Sequence, residues 1–160
     1  MLGSYAWGLG TRPGTAAALW GGMPLLLQRI STANMLPAAL GYIAFTTLIL
    51  FRLDPGRTRL LGRFGYGAFL ALYAAILVPS ALWMPLTFSA LASPTAMAVW
   101  SIRLVLAVIA LASLGLLVAL WDLKPQSPVW AWRLAALGGV FFCLQTVVMD
   151  AVLWSAFFHP

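Results

Sequence analysis

Five residues of this chain have a type and a setting that packing alone does not explain: Ser80, Trp83, Arg103, Gln145 and Asp150. Each is polar or aromatic and lies inside a long apolar run. Arg103 is three residues past Trp100, and Asp150 is four residues before Trp154. A charge at the bilayer centre costs about 2.5–3.5 kcal/mol on insertion scales, less near the edge. An arginine can meet that cost by reaching up to the headgroups, or by pairing bidentately with a carboxylate. Aspartate is too short to reach as far, so Asp150 is expected to turn inward, toward Arg103 or a ligand. A pair of this kind makes Asp150→Asn more damaging than Arg103→Lys, because Asn strips Arg103 of its counter-ion. Gln145, five residues before Asp150, adds a further polar group to the same segment. In Pro79-Ser-Ala-Leu-Trp83-Met-Pro85, two prolines remove two backbone donors and bend a helix. The freed carbonyls need partners, with Ser80, Thr87, water or a neighbouring helix available. Trp83 sits between the kinks, about two turns inside the membrane interface. It is either a packed or lipid-facing ring, or the flat wall of a small-molecule pocket with a few placed polar groups.

Other chemistries lack their residues. The chain holds one histidine, His159, and one cysteine, Cys143, which leaves neither a metal-ligand set nor an intrachain disulfide. There is no Ser/His/Asp arrangement, no carboxylate pair and no phosphate-binding glycine loop, so the expectation is a protein that is not an enzyme.

The elements that must position these residues follow from composition. Of 160 residues, 63% are hydrophobic and 8% charged, with mean hydropathy +0.98. Soluble domains carry about 25% charged residues, so this chain is expected to be an integral membrane protein with the lipid bilayer as its first partner. The net charge of +6 is read as topology, not as a nucleic-acid signal. Four spans are clear, near residues 35–51, 65–91, 97–121 and 134–158, joined by short polar links. Such links require antiparallel neighbours, hence an all-α, up-down transmembrane bundle over residues 35–160. Residues 1–34 form an N-terminal segment in which 14–28 reads either as a short, broken fifth span or as an interfacial helix.

Arg52, Arg57, Arg59, Arg63, Lys124 and Arg133 fall on one side of this arrangement, against Arg29 and the intramembrane Arg103. Their side is expected to be cytoplasmic, with the C-terminus outside, as in a bacterial inner membrane. The side of Arg12 depends on whether 14–28 crosses. Trp100 and Trp121, and Trp132 and Trp154, are spaced as interface anchors roughly 30 Å apart. Small residues such as Ala112, Ser113, Gly115, Gly138 and Gly139 suit close helix packing.

Tyr73-Ala74-Ala75, Leu77, Leu82-Trp83, Pro85 and Phe88 together resemble the third helix of the translocator protein / tryptophan-rich sensory protein (TspO/MBR) family. Asp150, four residues before Trp154, is similar to an Asn-plus-large-residue pair near the end of that family's last helix. The sequence departs from the family in having no long first loop between residues 29 and 35, and in carrying Ile76 and Ser80 where the family has Gln and Asn. The resemblance implies a five-helix bundle that binds apolar planar ligands, porphyrin (tetrapyrrole) or sterol-like, usually as a homodimer. Three readings follow. The first is a non-enzymatic ligand-binding, sensory or transport protein with its site at Ser80, Trp83, Arg103, Gln145 and Asp150. The second is an accessory subunit of a larger membrane complex, in which Arg103 and Asp150 pair for assembly. The third, a small transporter with a polar path on both sides, has few polar residues in the inner halves of the spans to build it.

Overall fold

The computed structural model describes residues 18–123 and 128–159. Four helices in it are long and apolar enough to cross a membrane: α1 (Leu25–Phe51), α2 (Gly67–Ala92), α3 (Ala96–Asp122) and α4 (Val129–Phe157). At 1.5 Å per residue each is about 40 Å long, enough for a hydrocarbon core of about 30 Å with tilt. The chain is therefore an all-α membrane bundle, as its composition requires. Pro24 and Pro128 stand immediately before α1 and α4, where a missing N–H costs nothing. Thr95 caps α3 by accepting the Ala98 N–H at 3.2 Å, right after the Ser93-Pro94 break that ends α2.

α1 starts ten residues before the Met35 boundary read from the sequence. The stretch from 29 to 34, which the sequence places in the N-terminal segment ahead of the first clear span, is helix. Ser31 and Asn34 find partners on α4, so their polarity marks an interior face and not a turn. Among the described residues, 18–28 is not a separate span. A 3₁₀ turn at Ala18–Trp20 leads through Gly21, Gly22 and Pro24 straight into α1. Arg12, residues 14–17 and Lys124 lie outside the described residues.

α1 lies along α4, α2 lies along α3, and α3 packs on α4 to join the two pairs. The α1–α4 crossing is a backbone contact: a Cβ on Gly41 would fall 2.5 Å from the Cα of Gly138. Only glycine at both positions permits that approach. α1 and α2 meet through side chains instead. Thr46 and Tyr73 share a 2.8 Å hydrogen bond, and Tyr42 and Phe45 pack edge-on to the Tyr73 ring. Phe45, Ile49, Phe69, Ile76, Ile102, Leu116 and Leu120 fill the space between the four helices.

The link between α1 and α2 is built as a small hairpin. Strand β1 (Arg59–Leu60) pairs antiparallel with β2 (Phe64–Gly65) around Leu61-Gly62, both with positive φ. Asp122, at the end of α3, accepts the Leu61 N–H, which ties the hairpin to the adjacent link. Arg133, in the second turn of α4, stands at the same end.

Candidate functional site

At the end of the bundle opposite the hairpin, α4 leaves the α-helical form. It is α-helical to Cys143, π-helical over Leu144–Trp154, and α-helical again over Ser155–Phe157. π-helical segments are rare, usually a single turn, and frequent at functional sites. The consequence here is geometric. In an α-helix, side chains five apart are rotated by about 140°, so Gln145 and Asp150 would diverge. The i→i+5 repeat of a π-helix brings them onto one face. Gln145 Nε2 donates to Asp150 Oδ1 at 2.9 Å.

The same amide reaches across to α1. Gln145 Nε2 also donates to Ser31 Oγ at 3.2 Å, and Gln145 Oε1 accepts from Asn34 Nδ2 at 3.1 Å. Asn34 Nδ2 makes a second bond, to the Phe141 carbonyl at 3.2 Å. Ser31, Asn34 and Gln145 are buried. Every polar group of such a cluster in hydrocarbon must be paired within the protein, and Gln145 is the member that joins the others.

Further toward the end of α4 lies an aromatic layer. Trp83 on α2 meets Trp154 on α4 edge to face, ring centroids 5.5 Å apart, and Trp154 stacks on Phe158 at 4.3 Å. The N-terminal turn closes the layer from above. Leu19 packs on Met84 and Phe88, and its carbonyl accepts the Trp154 indole N–H at 2.7 Å. The Gly22 N–H donates to the Phe157 carbonyl at 3.0 Å. Gly21 has φ +55, and a Cβ there would sit 2.7 Å from the Phe157 carbonyl oxygen, so this turn needs glycine on both counts.

The five residues singled out from the sequence are therefore only partly brought together. Gln145 and Asp150 are bonded, and Trp83 lies in the aromatic layer against Trp154. Ser80 turns its hydroxyl onto the Ile76 carbonyl of its own helix at 2.6 Å, as Thr87 does onto Trp83 at 2.8 Å. Arg103 makes no direct salt bridge to Asp150. Among the described residues the only salt bridge is Arg57–Asp54. Arg103 Nη2 donates to the Ser155 carbonyl at 3.3 Å, and the guanidinium lies 5.3 Å from the Trp100 ring centroid. A carbonyl near the C-terminal end of a helix and an aromatic face both attract a cation, so Arg103 is satisfied without a carboxylate. Trp154 is also reassigned. It is 5% exposed and buried in the layer, whereas Trp100 and Trp121 are exposed as interface anchors should be.

Ser31, Asn34, the Leu19 turn and the π-helix were not anticipated from the sequence. Ser31 and Asn34 carried a signal, a polar i,i+3 pair on one face near the start of a mostly apolar helix. Two open grooves flank the turn. One, of about 300 Å³, is lined by Thr95, Val99, Arg103, Phe158 and His159 among others. The second, of about 380 Å³, runs along Trp20, Gln28, Arg29 and Thr32. The chain matches no family model, no curated protein and no solved structure.

Proposed function

We propose that this chain is a non-enzymatic integral membrane protein that takes an apolar planar ligand at the Trp83–Trp154–Phe158 layer, in a sensory or transport role. A porphyrin- or sterol-like shape suits three rings at one level, and the resemblance to the TspO/MBR family, with its homodimers, points the same way. The observation that carries the reading is the closure of the layer. The segment over it is a short 3₁₀ turn, tied down by the Trp154–Leu19 and Gly22–Phe157 bonds. A planar ligand would take the place of Leu19 on Met84 and Phe88, with Trp83 on one side. Asp150 and Gln145 beneath, and Arg103 at the rim, would meet a polar substituent. The positive-inside rule puts the hairpin in the cytoplasm and this site in the outer half of a bacterial inner membrane.

The accessory-subunit reading has its own support. The polar cluster is internally paired and Trp83 is in contact with Trp154, as in a scaffold that needs no ligand. Titration of the detergent-purified protein with protoporphyrin, and separately with a sterol analogue, separates the two through tryptophan fluorescence. Saturable quenching at micromolar ligand supports a site. Quenching that rises linearly, as in empty micelles, puts the accessory subunit first.

A further inference from the structure

We propose that the Arg59–Gly65 hairpin is a docking element for anionic lipid headgroups, with Leu61 and Phe64 entering the acyl boundary and Arg59 and Arg63 meeting phosphates. A link that only sets topology needs positive charge and nothing else. This one is built. Leu53 and Leu60 anchor it in the core, Tyr66 donates to the Ile49 carbonyl at 3.2 Å, and Asp122 holds the Leu61 N–H.

What the hairpin displays is the informative part. Its turn has φ +50 at Leu61 and +65 at Gly62, closed by an Arg63 N–H to Leu60 carbonyl bond of 3.0 Å. Turns with positive φ at both central residues are dominated by Gly, Asn and Asp. A leucine there carries a steric penalty that Asn avoids, and it is 57% exposed, with Phe64 56% exposed on the following strand. In water that choice is doubly unfavourable. Against a membrane it becomes an apolar tip at the depth where one is stabilised. The adjoining charges fix the lipid class. Arg52, Arg57, Arg59 and Arg63 are all exposed, and of the nearby acids Asp54 is paired with Arg57 at 3.6 Å while Asp122 is engaged by the hairpin backbone. The net field at this end is positive and lies at the headgroup level, where juxtamembrane basic residues bind anionic lipid.

The test is electron paramagnetic resonance of a nitroxide at Phe64→Cys, in a Cys143→Ala background, in nanodiscs of phosphatidylcholine alone or with 30% phosphatidylglycerol. Oxygen and a water-soluble nickel chelate report depth. The label should sit at the headgroup–acyl boundary in the anionic discs and move toward water in phosphatidylcholine alone. It should also move toward water in anionic discs when Arg59→Gln and Arg63→Gln are combined, or when 0.5 M salt is added. Leu61→Asn, which suits the turn, keeps the protein folded and should also make the label shallower. A label in water in both membranes overturns the proposal and leaves a soluble protein partner as the reason for the exposed tip. Equal depth in both membranes, unmoved by the arginine changes, overturns it too, because docking would then be apolar alone.

Discussion

Removing the Gln145 amide should cost far more stability than removing the charge of Asp150. Gln145→Leu keeps the volume of the side chain and deletes its bonds to Ser31, Asn34 and Asp150. Side-chain hydrogen bonds inside membranes average about 0.6 kcal/mol each and reach about 1.7. Two of these cross between helices and the third goes to a carboxylate, the stronger kind, so Gln145→Leu should destabilise the fold by about 2–3 kcal/mol. Asp150→Asn keeps an oxygen that can accept from Gln145 Nε2, and Arg103 already has the Ser155 carbonyl and the Trp100 ring. Its cost should stay below about 1 kcal/mol. That ordering reverses the one an Arg103–Asp150 ion pair would give. The assay is reversible unfolding in mixed micelles of dodecylmaltoside and SDS, followed by far-UV circular dichroism. If Asp150→Asn proves as costly as Gln145→Leu, the carboxylate has an ionic partner and the hydrogen-bond scheme is wrong.

Three more outcomes are expected. Gly41→Ala should destabilise by about 2 kcal/mol or more in the same assay, since its Cβ meets the backbone of Gly138. Gly139→Ala should cost less, because it meets only the ends of Leu117 and Leu120 at 3.1 and 3.2 Å, which can rotate aside. Trp154→Phe retains the ring stack but loses the bond to Leu19; hydrogen exchange at the Gly22 amide should accelerate while exchange in α3 is unchanged. With Cys143 replaced by Ala, a cysteine at Pro94 should react with an impermeant maleimide on intact cells and one at Arg57 should not, both sites being exposed; the opposite pattern inverts the topology.

The spans were legible because hydropathy and length act on the whole segment: each of the four helices covers most of one apolar run, although α4 starts at Val129, five residues before the expected 134. α2 and α3 end at Ser93-Pro94 and at Asp122, as Pro and polar residues should end them. The start of α1 was not, since Ser31 and Asn34 interrupt the apolar pattern ahead of Met35 until a partner helix is known. Gln145 and Asp150 stood out as polar residues in an apolar run, yet their contact depends on a π-helical register that no local residue pattern announces. The sequence points Arg103 toward Asp150 because depth along a helix is readable from sequence, whereas the rotation of one helix against another is not. That rotation directs Arg103 to Ser155. Trp154 shows the same limit from the other side. Its spacing from Trp132 fits an anchor pair, and only packing reveals that it faces inward onto Trp83 and Phe158.

The ligand site at the aromatic layer is tested most directly by measuring protoporphyrin affinity for Trp83→Ala against Trp121→Ala, an exposed ring on α3 at the hairpin end. Trp83→Ala should weaken binding by about 1 kcal/mol, the order of an aromatic contact, or roughly fivefold in Kd, and Trp121→Ala should leave it unchanged. Binding that survives Trp83→Ala intact in a folded protein would contradict the account.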